Sequence, residues 1–92
     1  MAVFKAALVC LEKNDIGIIW MDKKYIGQIE ELKKHVTFYK DILNIPNVAI
    51  MMKPDDDEPV YFGKKEIVEI LKKNFWKQFP WQQFAIDAKE TK

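Results

Sequence analysis

The hydrophobic residues switch between strand-like and helix-like spacing along the chain. Near the start, apolar side chains occupy successive positions from Val3 to Leu11, and Lys5 is the one charge among them. This composition is typical of a strand that is covered on both faces or lies in the middle of a sheet. Polar residues at 12–15 then precede Ile16 to Met21, a segment rich in β-branched and aromatic residues. Together the two segments predict a β-hairpin.

A helix is predicted from Gly27 to Leu43. Its apolar residues are separated by three and four positions, which is the spacing of an amphipathic helix. Acidic residues at 30 and 31 lie in the first turn and Lys40 lies in the last, as the helix dipole favours. Asn44 and Pro46 follow the last apolar position and predict the end of the helix.

The second half of the chain predicts another hairpin and another helix. Asn47 to Met52 is a predicted strand, residues 54–59 form an acidic loop, and Val60 to Phe62 is a short returning strand. Helical spacing resumes from Lys64 to Gln78, and Pro80 ends it. In the segment after Pro80 the spacing favours a short helix, with an edge strand as the alternative.

These elements predict a single α+β domain over residues 1–92, in the order β-β-α-β-β-α plus a short C-terminal helix or strand. A helix that joins the second and third strands should leave them parallel, in a right-handed crossover. We expect a two-layer sandwich, with a mixed four- to five-stranded sheet and two main amphipathic helices on one face. Because such a small sheet would leave apolar surface or an edge open, we also expect a homodimer.

Composition narrows the classes of function. Fifteen lysines and fourteen acidic residues give a net charge of +1, so charge alone does not indicate binding to nucleic acid or membrane. The chain has no arginine, which is the usual residue for bidentate base recognition, and no serine nucleophile. No apolar run approaches the about 20 residues of a membrane span, and no signal-peptide pattern is present. A single cysteine favours the cytoplasm.

The sequence predicts no catalytic residue, no cofactor and no metal site. Cys10 lies in an apolar segment with no adjacent Asp or Lys, so we expect a buried and inert thiol. His35 is expected at the helix surface, and a Cys10 and His35 nucleophile pair is the alternative. One cysteine and one histidine leave zinc short of its three or four protein ligands.

The most acidic segment is bracketed by Pro54 and Pro59. We expect it to be a solvated hairpin tip, and a docking surface for a basic partner is the alternative. It lacks the alternating ligands and central glycine of an EF-hand. The residues of this acidic loop are Asp55, Asp56, Asp57 and Glu58.

Aromatic residues are concentrated at 75–84, where they make up five of ten residues. Helical spacing places Phe75 and Phe79 on one apolar stripe, and Trp76 off that stripe, where it would be exposed beside lysines. Core packing, a protein interface and stacking on single-stranded nucleic acid are the three interpretations. The predicted partner-binding surface comprises Trp76, Phe79, Trp81, Phe84, Lys72, Lys73 and Lys77.

One stretch resembles the closing half of the thioredoxin and glutaredoxin folds, in which a proline precedes a strand, a hairpin and a final helix. The resemblance lies in Ile45-Pro46-Asn47-Val48-Ala49-Ile50, a hairpin, Gly63, and Ile67-Val68-Glu69-Ile70-Leu71. Those families carry a cysteine-containing turn at the start of their first helix. The corresponding segment here, Asp22 to Gly27, has no cysteine. The resemblance therefore implies a thioredoxin-like fold that lacks the redox cysteine pair.

The leading prediction is a small non-enzymatic protein-interaction module, homodimeric and cytoplasmic. It would bind a macromolecular partner through the aromatic and lysine surface or through the acidic loop. The alternative is single-stranded nucleic-acid binding by the same surface, with further phosphate contacts from Lys23, Lys24, Lys33 and Lys34. Neither a membrane nor a small-molecule substrate is expected.

Overall fold

The computed structural model describes residues 2–86. It contains two short 3-10 turns, at Lys23–Tyr25 and Trp76–Gln78. In chain order the strands and helices are β1 Ala2–Leu11, β2 Asn14–Met21, α1 Ile29–Leu43, β3 Asn47–Met52, β4 Val60–Phe62, α2 Lys65–Lys72 and β5 Trp81–Ile86.

The five strands form one mixed sheet in the order β4-β3-β2-β1-β5. Strand β1 is antiparallel to both of its neighbours, β2 and β5, and β3 is antiparallel to β4. Strands β2 and β3, which α1 connects, are parallel. The predicted α+β class, mixed sheet and order of elements are therefore confirmed.

The two helices cover opposite faces of the sheet. Leu32 of α1 packs in one core cluster with Ala6 of β1, whereas Leu71 of α2 packs in the other cluster with the next residue, Ala7. The prediction that both helices lie on one face is therefore wrong. Successive residues of β1, β2 and β3 are apolar, so burying both faces requires one helix on each side.

Helix α1 ends where the sequence predicts. Asn44 adopts the left-handed conformation, with φ 55° and ψ 46°, and its N–H donates to the Lys40 carbonyl oxygen at 2.9 Å. Asparagine tolerates this conformation, which satisfies a carbonyl at the helix end. Leu43, the last helical residue, packs against the α1 face of the sheet.

Helix α2 ends six residues earlier than predicted, at Lys72 instead of Gln78. The Asn74 side-chain amide donates to the Ile70 carbonyl oxygen at 2.8 Å, and this bond terminates the helix. Beyond it the chain changes direction. Phe75 and Phe79 therefore do not share a helical stripe: Phe79 is 6% exposed, whereas Phe75 is 55% exposed.

The segment after Pro80 forms a strand instead of the favoured short helix, and the alternative of an edge strand is confirmed. Strand β5 pairs with β1 and supplies hydrogen-bond partners for its outer backbone groups. Phe84 lies opposite Phe4, with the ring centroids 5.4 Å apart. Within residues 2–86, β5 pairs with no other strand. The homodimer stays a prediction.

The β1–β2 hairpin turns through Glu12 and Lys13, both of which have positive φ, at 49° and 67°. Leu11 pairs with Asn14, so the loop contains two residues. This geometry is a type I′ turn, which is usually formed by Asn-Gly because non-glycine side chains are strained there. Here two long charged side chains occupy both strained positions.

Replacing Lys13 by glycine should stabilise the protein, because glycine adopts positive φ without steric strain. We expect Lys13→Gly to raise the free energy of unfolding by about 1 kcal/mol in urea denaturation. Lys13→Ala is the matched control, since it removes the same charge and keeps the strain. A Lys13→Gly variant no more stable than Lys13→Ala would contradict this account of the turn.

Candidate functional site

The acidic loop and the aromatic segment, which are separate in sequence, meet at one surface. They enclose a groove of about 450 Å³, which we call the tip groove. The loop between β3 and β4 forms one wall, and the turn after α2 forms the other. The lining residues are Lys53, Asp55, Asp56, Asp57, Glu58, Phe75, Trp76 and Lys77.

Phe75 and Trp76 also line a neighbouring cleft of about 260 Å³. Tyr61 and Lys72 contribute to this second cleft. Burial, with a smaller effect from the Glu58 charge, raises the pKa of Tyr61 to about 12. The Tyr61 hydroxyl, like that of any tyrosine, is protonated at physiological pH and can donate a hydrogen bond inside the cleft.

Three tryptophans pack together at the point where Trp76 lines the tip groove. The ring centroid of Trp20 lies 5.4 Å from that of Trp76 and 5.1 Å from that of Trp81. The Trp81 Nε1–H donates to the Trp76 carbonyl oxygen at 2.9 Å. Trp76 is half-buried against the α2 core, so the prediction that it is exposed is wrong. The cause is the early end of α2, which turns Trp76 towards the sheet.

Lysines of the chain itself lie over the Trp76 ring. The Nζ atoms of Lys53 and Lys77 are 5.9 and 5.6 Å from its centroid. These distances are within the about 6 Å at which an ammonium group is attracted to an aromatic face. A nucleic-acid base that stacked on Trp76 would therefore have to displace a lysine.

A solvent-exposed ion pair links the acidic loop to the segment before α1. The Lys23 ammonium binds the Asp55 carboxylate, which lowers the pKa of Asp55 and raises the pKa of Lys23. Within residues 2–86, the carboxylates of Asp56, Asp57 and Glu58 form no ion pair. The loop therefore presents unpaired negative charge to the groove.

The structure separates some of the residues that the sequence grouped together. Phe79 lies in the core beneath α2, and Phe84 lies on the other face of the sheet, next to Phe4. Trp81 lies behind Trp76, and Lys73 is paired with Glu12 at 3.5 Å, outside the tip groove. Of the predicted partner-binding residues, Trp76, Lys72 and Lys77 line the two clefts.

Phe75 is the site residue that the sequence analysis missed. Helical periodicity assigned it to the core, but α2 ends before it and its side chain is exposed. Asn74 was the available signal, because asparagine favours the end of a helix over its interior.

Cys10 is exposed, contrary to prediction. It lies opposite Asp15 in the β1–β2 pairing. Hydrogen bonding to the Asp15 carboxylate, followed by partial desolvation and charge repulsion, raises the pKa of the Cys10 thiol. Low reactivity of this thiol stays a prediction, and its physical basis is the carboxylate across the hairpin instead of burial in the core.

His35 and Cys10 have different neighbours. The His35 ring is half-buried, and its centroid is 5.5 Å from that of Tyr25 and 6.3 Å from that of Tyr39.

Over residues 2–86 no three His, Cys, Asp or Glu side chains are grouped in a way that could hold a metal ion.

No protein-family model, curated protein or solved structure matches this chain. The likeness to the thioredoxin fold therefore stays a prediction based on the order of elements. Neither helix in the described part of the chain has the length and apolar character to cross a lipid bilayer.

Alanine substitutions at Phe75 and Phe79 should have different effects on the free energy of unfolding. We expect Phe79→Ala to lower the free energy of unfolding by about 3–5 kcal/mol, because it leaves a cavity beneath α2. Phe75→Ala should change it by less than about 0.5 kcal/mol. Urea denaturation of the two variants measures the difference. Equal losses would show that Phe75 belongs to the core.

The Cys10 thiol should react slowly with iodoacetamide at pH 8 and faster as the pH rises, because its raised pKa lowers the fraction of thiolate. Asp15→Asn removes the nearby charge and should increase the rate several-fold at pH 8. Asp56→Asn is the control, since that carboxylate lies in the acidic loop. Identical rates for the wild type and Asp15→Asn would rule out the carboxylate as the cause.

Proposed function

We propose that this chain is a non-enzymatic protein-interaction module whose tip groove binds a partner segment that carries basic and apolar side chains. One observation carries the proposal. Phe75, 55% exposed, lies in the groove between the acidic loop and the ordered tryptophans. Exposed aromatic residues beside a rigid support are typical anchors of protein interfaces.

Among the described residues, four carboxylates and two lysines line the groove, so its net charge is negative and favours a basic segment. Asp56, Asp57 and Glu58 have no ion-pair partner within the described chain and line the wall that faces Phe75. A lysine or arginine of the partner would bind these carboxylates while an adjacent apolar side chain packs on Phe75. The tryptophan packing orders the wall that carries Trp76 in advance, which reduces the entropy lost on binding.

Single-stranded nucleic acid suits this surface less well. The acidic loop would repel phosphates at the same groove where Trp76 would have to stack a base. The proposed additional phosphate contacts Lys33 and Lys34 are on α1, which covers the opposite face from Trp76. These lysines and the aromatic residues therefore do not form one continuous track.

We also propose that the chain forms a homodimer and lies in the cytoplasm. Strand β5, as an edge of six residues, offers a second copy a place to pair in a homodimer. A cytoplasmic location is supported by the single cysteine.

Selection from a phage-displayed peptide library tests the proposed function. We expect the selected peptides to combine lysine or arginine with an aromatic or aliphatic residue. By fluorescence polarisation, Phe75→Ala should weaken their binding tenfold or more. The double variant Asp56→Asn/Asp57→Asn should weaken binding and reduce its dependence on salt. Phe38→Ala is the control, because Phe38 is a similarly exposed aromatic residue on α1.

Two results would overturn the proposal. One is that selected peptides bind Phe75→Ala as tightly as Phe38→Ala. The other is that mixed-sequence single-stranded oligonucleotide quenches tryptophan fluorescence saturably and with steep salt dependence, which would support the nucleic-acid alternative.

A further inference from the structure

A third cleft, separate from the tip groove and its neighbour, lies at the opposite end of β3 from the tip groove. It has a volume of about 480 Å³ and lies between α1 and the start of α2. It is open because β4 pairs only with Ile50–Met52, which leaves the first half of β3 without a strand on that side. Its volume falls within the roughly 300–1,000 Å³ of small-molecule sites.

The walls of this cleft combine apolar surface with positive charge. Val48, Phe62 and Ile67 form apolar parts of the lining. Three lysines, Lys33, Lys40 and Lys64, line it as well, and we call it the lysine cleft.

The lysine cleft carries positive charge without a carboxylate in its described lining. Among the described residues, no Asp or Glu lines the cleft. None of the three lysines forms an ion pair within residues 2–86. Three like charges around a concave apolar surface repel one another and produce a positive potential that attracts anions.

We propose that the lysine cleft binds a small amphipathic anion, namely a carboxylate or phosphate attached to an apolar body. The anionic group would lie among the ammonium groups of Lys33, Lys40 and Lys64 and accept charge-assisted hydrogen bonds from them. The apolar body would cover Val48, Phe62 and Ile67 and remove them from water. This site is independent of the tip groove and of the proposed protein partner.

Two sources could supply this chemistry: a fatty-acid-like anion with an alkyl chain, or an aryl phosphate. Dodecanoate and phenyl phosphate are the probes that represent them. Tighter binding of dodecanoate would assign the cleft to alkyl carboxylates, and tighter binding of phenyl phosphate would assign it to aryl phosphates. Either result supports the proposal.

Titration of ¹⁵N-labelled protein with each probe, below the micelle concentration of dodecanoate, locates the binding. We expect saturable shifts of amide resonances concentrated at Thr37, Gly63 and Lys64, which line the cleft. Dodecyltrimethylammonium, a cation with the same alkyl chain, should cause no saturable shifts at these residues. Scattered shifts, or equal binding of the cation, would overturn the proposal.

Lysine-to-glutamine variants test whether binding requires the charge of the lysine cleft. The triple variant Lys33→Gln/Lys40→Gln/Lys64→Gln should weaken binding of the preferred probe at least tenfold. The control triple variant Lys13→Gln/Lys24→Gln/Lys34→Gln removes the same charge outside the cleft. Equal loss in both triple variants would show that only the net charge matters and would overturn the site.

Thr37→Trp tests the shape of the site. Thr37 is exposed, so the larger side chain can enter the cleft without disturbing the core. It should reduce affinity for the probe while leaving the urea midpoint unchanged. Unchanged affinity would place the apolar body outside the cleft and overturn the assignment.

Discussion

Both faces of the central strands β1, β2 and β3 are apolar, and the need to bury both faces constrains every other element. Helix α1 connects the parallel strands β2 and β3 and covers one face. The chain must therefore cover the other face after β4, and α2 does so with Leu71 and its neighbours. From there it continues beneath the sheet to the far edge of β1, where β5 pairs.

The path of the chain after α2 explains why an exposed aromatic residue meets the acidic loop at the candidate site. The chain leaves α2 at Asn74, places Phe79 in the core and returns as β5. Trp76 then packs between the sheet and the solvent, and Phe75 extends outward beside the acidic loop. The exposed aromatic residue is thus a consequence of the turn that allows one short helix and one buried phenylalanine to cover the same face.

Although the net charge is only +1, the chain has two local sites of opposite charge. At one end of β3, unpaired carboxylates line the tip groove; at the other end, three lysines line an apolar cleft. Strand β3 connects the two sites: the acidic loop follows its last residue, and Pro46 of the lysine cleft precedes its first.

The sequence alone determined the central strands, the bounds of β3 and β4, and the end of α1 at Asn44, because these depend on local periodicity and local backbone preference. The tertiary structure decided which face each helix covers, the strand conformation of β5 and the exposure of Phe75. It also placed Asp15 across from Cys10, which raises the pKa of the thiol. Each of these outcomes requires a partner from another element. Strand β5 forms because the edge of β1 is unpaired without it. The Asp15 charge acts on Cys10 only after the hairpin has formed.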